Sequence, residues 1–279
     1  MRLLLFGYGN IGKRHSSILR AMAHEVVTVD PDPQAQADYQ SAAELPDPWF
    51  DAVLDCTPPE VRAGWAFPAR ARFVEKPLGQ VPEGEHPERV MMGFCYRWSL
   101  RLEAFVEIIK KYTLYSLSIV GGQHLNEWHG DYKKFKQRYH GVVTDSLPHS
   151  LYIARWIMGE LEYVGSVAGK LSDLEIEVED VAGVLLRGAN GAPCYLLADY
   201  LRSPRSFEIE AITSGGWHRW EFAPKTDVEP MYWRQMEQFC KMVKGDLAAG
   251  YPNLADGMAV QRLLEQIEFQ ADTVRARMR

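Results

Sequence analysis

Apolar and polar residues alternate in short blocks along the first hundred residues. Leu3-Leu4-Leu5-Phe6 predicts a strand and Ile11–Ala23 a helix. Further strands are expected at Glu25–Asp30, Asp51–Cys56, Arg72–Glu75 and Arg89–Phe94. They end on glycine, proline or polar residues, as in Thr57-Pro58-Pro59 and Lys76-Pro77. Short apolar strands with such ends suit a parallel sheet whose C-terminal edge carries ligands. The connections are lean. Between Asp30 and Asp51 lie 20 residues with four prolines, and between Pro77 and Arg89 lie 11 with two. Neither has room for a full crossover helix. Loops are expected in place of some helices, with exposed sheet faces covered by the C-terminal segment or by another subunit.

After Trp98 the pattern changes. A helix is predicted over Arg101–Tyr112 and a strand over Leu114–Val120. A helix of mixed polarity over Asp145–Met158 stops at Gly159. Strand-like runs follow at 161–168, 180–187, 192–201, 206–214 and 216–222, with glycine turns between them, which predicts an antiparallel meander. Helices over Met231–Lys244 and Asp256–Met278 close the chain. The expected class is α/β, with a parallel-sheet domain over 1–97 and an α+β domain with a mainly antiparallel open sheet over 98–279. The last helix of the second is free to pack back on the first.

The turn after the first strand reads Gly7-Tyr8-Gly9-Asn10-Ile11-Gly12, a G-x-G-x-x-G motif. Gly7 permits the sharp turn, Gly9 lets a pyrophosphate approach the backbone, and Gly12 lets the helix pack closely. The helix start aims free N–H groups at the phosphates. Asp30 ends the second strand 18 residues after Gly12, where a carboxylate accepts from a ribose 2′-OH. The first domain is therefore expected to be a trimmed Rossmann domain. Asp30 repels a 2′-phosphate and Pro31-Asp32-Pro33 offers no cation, which favours NAD over NADP. Arg14 is the residue through which NADP would be held instead.

Composition narrows the partners. The chain has 279 residues, 47% hydrophobic and 24% charged, as in a soluble globular protein. A net charge of −6 argues against nucleic acid or an anionic membrane as partner. Cys56, Cys95, Cys194 and Cys240 are scattered without C-x-x-C spacing, so reduced thiols in a cytoplasmic protein are expected, with no metal site.

Four features in order resemble the Gfo/Idh/MocA family of nicotinamide-dependent oxidoreductases. They are Gly7–His15, Thr57-Pro58-Pro59, Glu75-Lys76-Pro77, and Gly141–His149, which contains a D-x-x-x-H pattern. The resemblance implies Lys76, Asp145 and His149 as catalytic residues. It implies Gly7, Tyr8, Gly9, Asn10, Ile11, Gly12, Asp30, Thr57, Pro58, Glu75 and Lys76 as cofactor-binding. Arg97, Trp98, His124, Trp128, Tyr132 and Tyr152 are then the substrate-facing candidates. Tyr152 stands where relatives often carry an acidic residue. Lysine at a strand end can hydrogen-bond the reacting oxygen, and an imidazole can take its proton. Asp145 and His149, four apart, share one helix face.

The implied activity is hydride transfer between NAD and a hydroxyl or keto carbon of a sugar, cyclitol or nucleotide sugar. The cation-rich run 131–140 reads either as a solvated loop or, more sharply, as recognition of an anionic substrate. Other readings stand beside it: a glycosidase using transient oxidation, a dinucleotide-sensing regulator, and an imine or amino-acid reductase. The resemblance implies that the 98–279 domain binds substrate and mediates oligomerisation, and a homodimer or homotetramer is expected.

Overall fold

The structure is a computed structural model that describes residues 1–81, 89–125, 141–246 and 250–278. It divides into two units. The first comprises Met1–Trp98 and Glu229–Met258, and the second Ser99–Val228 and the chain from Ala259 onward. The expected contiguous domain over 98–279 is thus interrupted, because 229–258 returns to the first unit.

The first unit holds strands β1 (Arg2–Phe6), β2 (Glu25–Val29), β3 (Ala52–Asp55), β4 (Ala71–Val74) and β5 (Arg89–Met92). All neighbours are parallel, in the order β2-β1-β3-β4-β5. Helix α1 (Asn10–Ala21) follows β1. Order reverses between β1 and β3, and the carboxyl ends there are where an open α/β sheet binds ligands. The connection between Asp30 and Asp51 is helix-poor, as its proline content predicts, while 82–88 of the other lean connection lie outside the described residues. Two 3-10 turns, Pro33–Ala35 and Ala42–Glu44, link β2 to β3, and one, Ala63–Ala66, links β3 to β4.

Strand alternation sends Leu3, Leu5 and Phe73 to one face and Leu4, Phe6 and Val53 to the other. On the first face, Phe73 meets His15 of α1 at 5.1 Å and Phe239 at 5.7 Å between ring centroids. Phe239 belongs to helix α5 (Pro224–Lys244), so part of the C-terminal segment covers this face. Backbone pairing extends the cover: Met92 N–H donates to the Pro252 carbonyl at 2.8 Å. The second face is covered by the connections themselves. Leu4, Phe6, Val29, Phe50 and Val53 form a cluster closed by Tyr39, Ala42, Leu45, Phe67 and Ala69.

The second unit carries α2 (Leu100–Ile109) and β6 (Leu114–Gly122), then α3 (Val142–Asp145) and α4 (Leu147–Met158). Strands β7 (Leu161–Gly169), β8 (Val181–Gly188), β9 (Pro193–Asp199), β10 (Ser206–Thr213) and β11 (Gly216–Glu221) follow. Helices α5 and α6 (Leu254–Met278) each begin in one unit and end in the other. The six strands run β11-β10-β6-β9-β8-β7. The expected meander needs correcting: β6 inserts between β9 and β10 and pairs parallel with β9. Turn residues encode the local hairpins β7–β8–β9 and β10–β11, but nothing local encodes where a distant strand inserts. The helix expected over 145–158 is also interrupted at Ser146. Pro148 has no N–H for the Thr144 carbonyl, so the ladder breaks there.

Gly12 tests the close packing of α1 on β1. A Cβ there would lie 2.0 Å from the Gly7 carbonyl oxygen, whereas one on Gly9 would meet nothing within 4 Å. Gly12→Ala is expected to cost about 1–3 kcal/mol in urea unfolding, with Gly9→Ala close to the parent. Equal midpoints would remove the steric basis of the turn.

Candidate functional site

The glycine turn is built on the end of β3. Gly7 has a φ of +85°, and a Cβ there would lie 2.7–2.8 Å from the backbone of Cys56 and Thr57. Only glycine fits both the conformation and the approach. Gly9 caps α1 with no side-chain hydrogen bond, and the first turn of α1 holds no acidic residue. Gly9 and Asn10 are exposed, Tyr8 and Ile11 half-buried. The helix start therefore presents N–H donors that have no acceptor within the helix beside open space at Gly9, which fits a pyrophosphate.

Asp30 is tied into this turn. Its Oδ2 accepts from Tyr8 N–H at 2.6 Å and its Oδ1 from Asp32 N–H at 2.9 Å. A carboxylate oxygen has a second lone pair, so a ribose hydroxyl can still donate to it. Arg14 is turned elsewhere, pairing with Glu229 at 3.0 Å and lying 4.7 Å over the Tyr232 ring.

At the carboxyl end of β4 stand Glu75 and Lys76. Glu75 is buried, and its Oε1 lies 2.8 Å from Nε2 of the fully buried His15. Its Oε2 accepts the Lys76 backbone N–H at 3.2 Å. Gly93, at the end of β5, makes room for this carboxylate: a Cβ there would lie 2.7 Å from Oε2. The Lys76 side chain is half-buried. The pair His15–Glu75 joins the helix of the glycine turn to the strand end that bears the lysine.

The β3 end is equally charged. Asp55 is fully buried and accepts from Thr57 Oγ1 at 2.5 Å, Thr57 N–H at 3.1 Å and Gly64 N–H at 2.8 Å. It therefore shapes the Thr57-Pro58-Pro59 turn. Arg62 sits 4.0 Å from it. Arg72 donates to the Gly64 carbonyl and, at 2.9 Å, to that of Phe67, with Trp65 5.0 Å away under its guanidinium. Burial pulls both arginines below their ordinary pKa, opposed by the Asp55 charge. Burial, with Glu75 and Asp55 nearby, pushes the Cys56 thiol well up. Sequence reading missed His15, Arg62 and Arg72 as parts of the site. His15 stood at the end of the Gly7–His15 motif, and the signal for the arginines was two basic side chains beside short apolar strands whose connection lacks a helix.

In the second unit, Asp145 ends α3 and His149 lies in the first turn of α4, both half-buried. Tyr200 follows β9, is 1% exposed and donates to Asp145 Oδ2 at 3.3 Å. Burial, then the Asp145 and Glu179 charges, push its phenol well above the ordinary range, so it remains a donor. Glu179 holds the start of α3: Val143 N–H donates to its Oε1 at 3.3 Å. A Cβ on Gly141 would lie 2.0 Å from the Glu179 carboxyl carbon, which accounts for glycine at the head of this helix. Tyr200 and Glu179 were also missed, because each lies far along the chain from the helix it serves.

The substrate-facing candidates separate. Arg97 is half-buried, donating to the Gly250 carbonyl at 3.3 Å, while Trp98 and Tyr152 are buried in the first and second units at 6% and 4% exposure. His124 is half-buried and its N–H donates to the Arg202 carbonyl at 2.6 Å. Trp128, Tyr132 and the cationic run 131–140 lie outside the described residues. Among the described residues no cluster of three or more metal-binding side chains occurs, and no helix is long and apolar enough to cross a membrane.

Residues 108–219 match the model of the GFO/IDH/MocA C-terminal domain. That stretch of the second unit is similar to a GFO/IDH/MocA C-terminal domain. Solved structures extend the likeness of fold over nearly the whole chain. A myo-inositol dehydrogenase from Corynebacterium glutamicum is 20% identical, covers 98% of this chain and 97% of its own, and has a TM-score of 0.76. A myo-inositol 2-dehydrogenase from Lactobacillus plantarum is 16% identical over 98% and 97%, with a TM-score of 0.79. The WlbA dehydrogenase from Bordetella pertussis, solved with NADH and UDP-GlcNAcA, is 19% identical over 98% and 96%, with a TM-score of 0.79. No curated protein matches the chain. The matched stretch begins within α2, contains Asp145, His149 and Tyr200, and ends in β11.

Asp55→Ala removes the counter-charge of a buried guanidinium and three hydrogen bonds. It is expected to destabilise the protein by about 3–5 kcal/mol in urea unfolding. A loss below about 1 kcal/mol, the range of an exposed pair, would show that the buried charges are independent.

Proposed function

We propose that the protein is an NAD-dependent oxidoreductase acting on a CH–OH group of a sugar, cyclitol or nucleotide sugar. The observation that carries this is the glycine turn, with its uncapped helix start, its open space at Gly9 and a carboxylate, Asp30, at the end of β2. These residues would hold the pyrophosphate and the adenosine ribose. Solved structures of this fold that carry NAD, NAD+ or NADH give the reading independent support.

When bound, the nicotinamide ring supplies the hydride acceptor or donor. The chain's own residues manage the proton and the charge. Lys76 donates to the reacting oxygen and lowers its pKa. His149 takes the hydroxyl proton during oxidation and returns it during reduction. Asp145 stabilises the imidazolium, and Tyr200 keeps Asp145 in place. Retention of Lys76, Asp145 and His149 favours an enzyme over a dinucleotide-sensing regulator.

Activity is to be sought by following nicotinamide absorbance across cyclitols, uronates and nucleotide sugars. Lys76→Ala and His149→Ala are expected to lower kcat by about 10²-fold with NADH affinity largely kept. Near-parental turnover in both would overturn the mechanism. Gly9→Ala is expected to weaken NADH binding about tenfold, or 1.4 kcal/mol, in a fluorescence titration. Asp30→Ala is expected to raise affinity for NADPH relative to NADH and to weaken both, since Tyr8 loses its acceptor. Unchanged discrimination would remove Asp30 as ribose ligand.

A further inference from the structure

Arg62 is the least expected side chain of the first unit. It lies in the short β3–β4 connection, is 5% exposed and adopts the left-handed conformation, with φ 34° and ψ 53°. Its guanidinium is spent on backbone carbonyls. Nε donates to Leu78 at 3.0 Å and Nη1 to Thr57 at 2.7 Å, while Nη2 donates to both Glu75 and Pro77. Glu75 and Pro77 are the two residues flanking Lys76. Thr57 belongs to the neighbouring turn at the end of β3.

Two further contacts bring these turns together. Gly79 has a φ of +69°, and a Cβ there would lie 2.4 Å from the Pro59 carbonyl oxygen. Asp55 holds Thr57 from beneath and supplies the negative charge beside Arg62. A parallel sheet whose connection lacks a helix leaves the carbonyls at its strand ends in need of donors. A planar guanidinium with five N–H groups can serve four carbonyls at once, whereas a lysine ammonium has three donors on one nitrogen.

We propose that Arg62 is a positioning residue for Lys76: it fixes the peptide on either side of the lysine and locks it to the Thr57 turn, setting where the lysine ammonium stands. The proposal rests on the oxidoreductase reading for its effect on turnover, but the placement of Lys76 can be measured without a substrate. Misplacement of a reacting group by about 1 Å costs on the order of 10²-fold in rate.

Arg62→Ala and Arg62→Lys are to be made in the full chain, with folding checked by circular dichroism. The first readout is trace acetylation of Lys76 by acetic anhydride, measured by mass spectrometry against the exposed Lys225 of the second unit. A change of at least about threefold in the Lys76 rate, with Lys225 constant, is expected in either folded variant. The second is steady-state turnover on whichever panel substrate the parent oxidises. In Arg62→Ala, kcat is expected to fall about 10²-fold with KM and NADH affinity changed less than about threefold, and added guanidinium to restore part of it where methylammonium does not. Arg62→Lys is expected to lose about tenfold, and it decides the matter should the alanine variant not fold. An unchanged Lys76 rate overturns the proposal, as does a fall in kcat that tracks lost NADH binding without guanidinium rescue. A parent inactive on every substrate would count against the oxidoreductase reading alone, leaving the acetylation result to decide the role of Arg62.

Discussion

Parallel strands have two faces to bury, and this chain has few helices with which to do it. That constraint shapes the whole first unit. Helix α1 and the α5 segment from Glu229 share one face, meeting through His15, Phe73 and Phe239. The other face is closed by irregular chain carrying Tyr39, Leu45, Phe50 and Phe67. Irregular chain buries apolar side chains as well as a helix does, but it leaves its own carbonyls without partners. Buried arginines answer that need, Arg62 at the strand ends and Arg72 on the 64–67 turn. Their charge in turn requires Asp55, which is why a carboxylate occupies the end of an otherwise apolar strand.

The candidate residues are also tied down by hydrogen bonds within each unit. Asp30 holds Tyr8, Glu75 holds the Lys76 peptide, and His15 links Glu75 to the helix of the glycine turn. In the second unit Tyr200 holds Asp145 and Glu179 holds the start of α3. Preorganised donors and charges of this kind need not reorganise when charge develops during a reaction.

The strands were legible because short apolar runs between glycine and proline turns carry their own boundaries. The glycine turn was legible because Gly7 and Gly12 answer local steric demands, as the close approaches at both bear out. The family resemblance drawn from four motifs agrees with the GFO/IDH/MocA match over 108–219 and with the fold of the whole chain. What escaped was long-range. The insertion of β6 beside β9 and the pairing of His15 with Glu75 join residues separated by dozens of positions, and no local pattern records them, whereas cover of the first sheet by the C-terminal segment was expected and only its bounds, 229–258, were not. Pro148 was visible, but its cost to the ladder was outweighed in the reading by the helical spacing around it.

The return of residues 229–258 has a consequence for how the protein is made. During synthesis the first 98 residues leave the ribosome as strands β1 to β5 with Phe73, Met91 and Met92 lacking their C-terminal cover. The sheet stays incompletely covered through the translation of some 130 intervening residues, as Trp98 and Glu229 mark the two ends of that gap. Apolar surface left waiting in this way invites aggregation. Full cover of the first sheet therefore waits for residues 229–258, and a fragment ending at Trp98 is an aggregation hazard rather than a miniature of the first unit.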